Sequence, residues 1–266
     1  MIRQPAVAGK FYPDDPDQLR QELAAMIPQG EGERVLGLVA PHAGYIYSGK
    51  VAGLAYGAVR VPETVLLLGP NHTGAGAPAA LAPSGEWLTP LGPVPVNSRL
   101  SKLILKHASF VREDPSAHHF EHSIEVQLPF LQYRNPRVCI SALCLSLSDF
   151  DSISALGAGL AQAITEYGEE VLIVASSDMN HYESARVAKE KDDLALAELA
   201  RLDPEALLRV CRECRITMCG VVPAAVMLVA AKLLGATTSR LIRYTTSGEV
   251  NGDLNRVVAY AAVTVS

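Results

Sequence analysis

The sequence predicts an α/β fold: one domain over residues 1–266, with a mostly parallel central sheet flanked by helices. Val35-Leu-Gly-Leu-Val-Ala40, Val65-Leu-Leu-Leu68 and Val171-Leu-Ile-Val-Ala175 are near-continuous apolar runs, the pattern of strands buried on both faces. Helical text separates them, as crossovers between parallel strands require. Each run also leads into a loop carrying a histidine: His42 after the first, His72 after the second and His181 after the third. Ligands of open α/β sheets sit outside the carboxyl ends of the strands, so neighbouring runs would bring all three histidines to one rim.

The elements follow in order. Residues 1–15 read as an irregular arm with Phe11-Tyr12-Pro13 as an aromatic anchor. A helix is expected over 17–26, capped by Asp14 or Asp15. The strand over 35–40, the His42 loop and a helix over 48–58 form a first β–loop–α unit. The strand over 64–68 and the His72 loop follow. Pro83-Ser-Gly85 and Leu91-Gly-Pro93 then indicate a hairpin within 74–96. Helices are expected over 98–108 and 120–133, the latter from the helical spacing of Ile124, Leu128 and Leu131. A strand over 137–145, a helix over 150–166 and the strand over 171–175 complete the sheet centre. Helices over 184–201, 204–214 and 220–234 precede two closing strands, 240–246 and 256–265, expected to be antiparallel.

Composition excludes several function classes. A net charge of −5 and a pI near 5.8 leave no basic footprint for nucleic acid or an anionic membrane. The start, Met1-Ile-Arg-Gln-Pro-Ala6, lacks the apolar core of a signal peptide, and the apolar stretch from Cys219 to Ala231 is too short to span a bilayer. Five cysteines without an export signal point to reduced thiols and a cytoplasmic location.

Gly44-x4-Gly49-Lys50 resembles a phosphate-binding loop, but Val51 stands where Ser or Thr should meet magnesium, and the bulky Tyr45-Ile46-Tyr47 fills its interior. It is a decoy. Cys211 and Cys214 lie on helical text with no second pair at zinc spacing, so they read as ordinary helix residues. Cys219 stands where a helix begins, a position that lowers a thiol pKa and favours the metal-binding thiolate. Asp178, three residues before His181, suits a carboxylate that fixes an imidazole tautomer, although a helix cap is the alternative. In His118-His119-Phe120-Glu121-His122-Ser123-Ile124-Glu125, His122 and Glu125 are three apart and would share one helix face, pointing into a site or lying on a solvated helix start.

Taken together, the chain resembles the Memo family, a branch related to the class III extradiol dioxygenases. The matching text is Ala6-Val-Ala-Gly9-x-Phe11-Tyr12-Pro13, Pro41-His42-Ala43-Gly44-Tyr45, Gly69-Pro70-Asn71-His72, Glu121-His122-Ser123-Ile-Glu125-x-Gln-Leu-Pro-Phe-Leu131, Ser176-Ser177-Asp178-x-x-His181-Tyr182, Cys219-Gly220 and Ser247-Gly248-x-x-x-Gly-Asp253. The resemblance implies an extradiol dioxygenase-like fold and a metal site of His42, His72 and Cys219. His181 is implied as the acid–base residue, with Asp178 beside it as its orienting partner. Tyr45, Asn71, His122 and Glu125 are expected to line the pocket. In the dioxygenases two histidines and a carboxylate hold Fe(II); here Cys219 takes the carboxylate position, and its softer thiolate shifts preference toward copper or zinc. Iron(II) or copper is expected ahead of zinc. Bacterial and archaeal members resemble one component of a system with a radical S-adenosylmethionine protein and a further small partner.

The functional expectation is therefore a metal-dependent redox enzyme or oxygenase. Two other readings stand beside it: a metal-binding adaptor without turnover, and a hydrolase using metal-bound water with His181 as base.

Overall fold

The computed structural model describes all 266 residues. In chain order the elements are β1 (Ile2–Arg3), α1 (Pro16–Met26), β2 (Gly37–Ala40), α2 (Tyr45–Ala58), β3 (Thr64–Pro70), β4 (Ala79–Leu81), β5 (Glu86–Thr89), β6 (Gly92–Pro95), α3 (Ser98–His107) and β7 (Arg112–Glu113). They continue with α4 (Leu128–Arg134), β8 (Cys139–Leu145), α5 (Phe150–Tyr167), β9 (Val171–Ser176), β10 (His181–Glu183), α6 (Ala185–Ala200), α7 (Pro204–Glu213), α8 (Val221–Leu233), β11 (Ser239–Thr246), α9 (Gly248–Asn251) and β12 (Val257–Val265).

The main sheet has nine strands in the order β10-β12-β2-β9-β3-β8-β4-β7, with β11 also on β12. Its centre, β2-β9-β3-β8, is parallel throughout. Antiparallel pairs flank this centre on both sides, so the sheet is mixed: β12 runs against β2, and β4 against β8. The expected hairpin is β5-β6, which joins β1 in a separate three-stranded sheet.

Why the central strands read as unbroken apolar runs is visible in their packing. Alternate residues of a strand point to opposite faces. Leu66 and Leu68 of β3 enter one core with α3, α5 and α8, whereas Val65 and Leu67 enter a second core with α1, α2 and α4. Both faces are covered, and no position can be polar without a partner. No helix is long and apolar enough to cross a membrane.

Two local expectations fare differently. Asp15 caps α1 by accepting from Asp17 N and Gln18 N. The helix expected over 120–133 is reduced to a 3₁₀ turn at Glu125–Gln127 followed by α4, which has Pro129 in its first turn. Residues 121–123 are not helical, and the Glu121 carboxylate accepts the backbone N–H groups of His122 and Ser123 there. The glycine–lysine decoy forms the start of α2, with Gly44 as its N-cap, and not a phosphate loop.

Asp192 of α6 is fully buried and accepts from Asn180 N at 3.1 Å and Tyr244 OH at 2.9 Å. Burial pushes its carboxyl up to about 7 against those two bonds, and Asp193 and Glu183 push the same way. The folded state therefore holds a proton that the unfolded chain releases at lower pH. Stability from this group is present at acid pH and lost as pH rises toward about 7. Asp192→Asn removes that loss, so the variant should gain on wild type between about pH 5 and about pH 8, by at most about 1.4 kcal/mol per pH unit. Urea unfolding of both proteins at the two pH values checks it; parallel pH profiles would refute it.

Candidate metal centre

Strand β9 lies between β2 and β3, with Ala40 opposite Ser176 and Leu68 opposite Ala175. The loops that leave the carboxyl ends of these three strands are therefore neighbours. His42, two residues past β2, and His72, two past β3, meet with ring centroids 5.2 Å apart. His122 joins them, stacked on His72 at 4.8 Å and edge-on to His42 at 5.5 Å. One ligand atom from each of the three rings lies within 4.8 Å of the others. Cys219, just before α8, places its Sγ 3.2 Å from His42 Nε2. Three imidazoles and a thiol thus converge on one rim, and this donor set suits a borderline or soft transition ion.

Each of the two strand-end histidines is held by its Nδ1. His42 Nδ1 lies 2.8 Å from Ser176 Oγ. His72 Nδ1 donates to Glu121 Oε1 at 2.9 Å, while Glu121 Oε2 accepts from His72 N at 2.6 Å. A carboxylate on one imidazole nitrogen leaves the other as the ligand atom, the usual outer support of a metal-binding histidine. Burial opposes the Glu121 charge, yet the His72 bond and backbone N–H groups outweigh it and pull the carboxyl down to about 2. Burial likewise opposes a charged His72, but the Glu121 bond and charge raise its pKa. His42 is driven well below its ordinary value by burial and by the neighbouring His72 and His122. His122 is lowered by burial as well, so both rings are neutral donors near neutral pH.

Several expected residues stand elsewhere. Asp178 does not orient His181: its Oδ1 accepts from the His42 backbone N at 2.8 Å, so it fixes the His42 loop. Burial raises this carboxyl to about 7 despite the bonds from His42 and Ala43. His181 is held by Thr217, through Nδ1 to Thr217 O at 3.0 Å and from its own N to Thr217 Oγ1 at 2.7 Å. A carbonyl only accepts, so Nδ1 carries the proton and Nε2 is bare. His181 remains within electrostatic reach of His72 and His42.

Glu125 is no pocket residue, since it pairs with Arg3 at 2.7 Å and accepts from Tyr12 OH at 2.7 Å in the interior. Tyr45 is core, its OH on Val126 O and its ring against Phe130. Asn71 shapes its own loop, bonding Thr73, Gly74 and Ala75. For Cys219, the helix-start effect loses to burial, which pushes the thiol up, with Asp178 adding to it.

Glu121 is not marked out by the sequence as a site residue. Its signal was weak: one acidic residue in a histidine-rich stretch, with a partner in a distant loop. Gly220 is a second such residue. A Cβ there would lie 2.3 Å from Ser176 O and 2.4 Å from Ser177 Cβ, so only glycine lets the Cys219 turn approach β9. Gly220→Ala is expected to cost about 1–3 kcal/mol through overpacking and to move Cys219 off His42. Thermal unfolding reads the loss; a change under about 0.5 kcal/mol would mean the turn shifts freely.

The chain is similar to known proteins over nearly its whole length. The family described as Memo-like protein matches residues 3–264. A MEMO1 family protein of Methanosarcina barkeri is 42% identical over 267 residues, covering 99% of this chain and all of that one. One from Aquifex aeolicus is 42% identical over 262 residues, covering 97% of each. Among solved structures, an uncharacterized protein from Escherichia coli K12 superposes with a TM-score of 0.56 at 15% identity, over 88% of this chain and all of that one, and shares the fold. With near-complete coverage at this identity, the chain belongs to the Memo-like protein family.

Proposed function

We propose that this chain is a metal-dependent redox enzyme or oxygenase whose centre lies at the carboxyl ends of β2, β3 and β9. The observation that carries the reading is the convergence of the His42, His72 and His122 rings within 4.8 Å, with the Cys219 thiol 3.2 Å from His42. His42, His72 and Cys219 would hold the ion, with His122 beside them as a fourth donor. Iron(II) or copper suits imidazole and thiolate donors with open positions. When bound, such an ion supplies electron transfer and a site for oxygen or substrate.

The protein's own residues do the rest. Glu121 and Ser176 fix two ligand rings before any ion arrives. Asp178 anchors the His42 loop from β9. His181, with Nδ1 tied to Thr217 O, holds Nε2 ready to take a proton. A partner-held substrate belongs to the same reading, with a radical S-adenosylmethionine protein and a small third component as the partners that the family resemblance implies.

Anaerobic purification with elemental analysis, followed by oxygen uptake with candidate reductants, tests the reading. Iron or copper near one per chain, with uptake lost in His181→Ala while the metal stays, is expected. Metal without any turnover would favour an adaptor, and zinc with oxygen-independent hydrolysis would favour a hydrolase.

A further inference from the structure

We infer that Ser176, whose hydroxyl proton is claimed by the Ser123 carbonyl, is a positioning residue that locks His42 in the tautomer with its proton on Nδ1. The network around His42 is sealed from water, so each of its protons has a countable set of acceptors. Tyr56, Ser123, Gln127 and Ser176 are fully buried, and His42 is 2% exposed. Ser176 Oγ has three polar neighbours: Ser123 O at 2.6 Å, Gln127 Nε2 at 2.8 Å and His42 Nδ1 at 2.8 Å. A hydroxyl has one proton to give and two lone pairs to receive with. The Ser123 carbonyl has no proton, so it takes the one from Ser176.

The amide of Gln127 is oriented by its other partners. Tyr56 OH donates to Oε1 at 2.9 Å, and Nε2 faces the Pro41 carbonyl at 2.9 Å. A flipped amide would set two carbonyl oxygens against each other. Nε2 therefore spends one proton on Pro41 O and the other on Ser176 Oγ. One lone pair of Ser176 remains, and only a proton on His42 Nδ1 satisfies it. The opposite tautomer would face a nitrogen lone pair with an oxygen lone pair in a site closed to water.

The consequence is directional. His42 Nε2 is left bare, and Nε2 is the atom that faces Cys219. The β2-end histidine is preset as a donor by groups on two other segments, the Ser176 hydroxyl at the end of β9 and the Ser123 carbonyl. The tautomer stands on hydrogen bonding alone; only its effect on metal affinity rests on the function proposed above.

Long-range ¹H–¹⁵N NMR of histidine-labelled, metal-free protein tests it, with His42→Gln used to assign the signal. Wild type is expected to show His42 with the proton on Nδ1; a proton on Nε2 would overturn the inference outright. Ser176→Ala removes the acceptor and should show a tautomer mixture, whereas Gln127→Leu leaves the Ser176 proton on the Ser123 carbonyl and should keep the Nδ1–H tautomer. Ser176→Cys, a far weaker acceptor, is read in the same way if the alanine variant does not fold. Zn²⁺ titration of Ser176→Ala should show affinity lower by about 10–100-fold. A folded Ser176→Ala variant that keeps a pure Nδ1–H signal refutes the role of Ser176, and a tautomer mixture in folded Gln127→Leu refutes control by the Ser123 carbonyl. A shifted tautomer with unchanged Zn²⁺ binding upholds the lock and counts instead against the metal centre.

Discussion

Replacing Arg3 by alanine should lower the unfolding free energy by about 3–5 kcal/mol, the range for breaking a buried ion pair by removing one partner. Arg3 is 2% exposed and Glu125 fully buried. The guanidinium reaches Glu125 Oε2 at 2.7 Å, His118 O at 2.8 Å and Glu121 O at 2.6 Å, and lies 4.2 Å over the Trp87 ring. Glu125 in turn accepts from Ala6 N, Val7 N and Tyr12 OH, tying the N-terminal arm to the segment that carries Glu121 and His122. Without Arg3, the Glu125 carboxylate keeps those three donors but loses its countercharge in the interior. Urea unfolding of Arg3→Ala reads the effect, and a loss below about 1 kcal/mol would sink it. The double replacement Arg3→Met with Glu125→Leu should be far milder, because no lone charge is left buried.

What was legible in the sequence follows from how each residue is placed. His42 and His72 were readable because parallel strands deliver their following loops to one rim whatever their separation in the chain. Strand positions were readable for the same reason: burial on both faces leaves an unbroken apolar run. Helical spacing failed at His122 and Glu125 because only a 3₁₀ turn forms there, beginning at Glu125, and the two side chains diverge. His122 reaches the cluster and Glu125 the arm. Nearness in sequence misled again at Asp178 and His181. Asp178 leaves the end of β9 toward the β2 loop, whereas His181 opens β10, which pairs with β12. The supporting contacts, Arg3 to Glu125 and Glu121 to His72, join distant segments through single side chains and leave no periodic trace. Burial decided the Cys219 thiol, and burial of one side chain among three loops is a property of the fold.

His42→Ala should abolish stoichiometric metal uptake, the largest functional effect expected. His42 belongs to both donor sets the rim offers: the three imidazoles, and the pair of imidazoles with Cys219. Its removal leaves His72 and one further donor for each set, too few to hold an ion against water. The two sets are separable. Cys219 is held protonated by its burial, so an ion must displace that proton to bind sulfur, and a soft ion such as Cu(I) gains most from doing so. Cys219→Ala should therefore weaken Cu(I) strongly while leaving a weaker imidazole site for Zn²⁺. His122→Ala should do the reverse, sparing Cu(I) held by His42, His72 and Cys219. Equilibrium dialysis under anaerobic conditions, with elemental analysis and a matched unfolding curve for each variant, gives the result. Unchanged uptake in a folded His42→Ala variant would remove the centre from this rim altogether. Equal losses for both ions in both other variants would mean that the thiol and His122 bind together and the two sets are one.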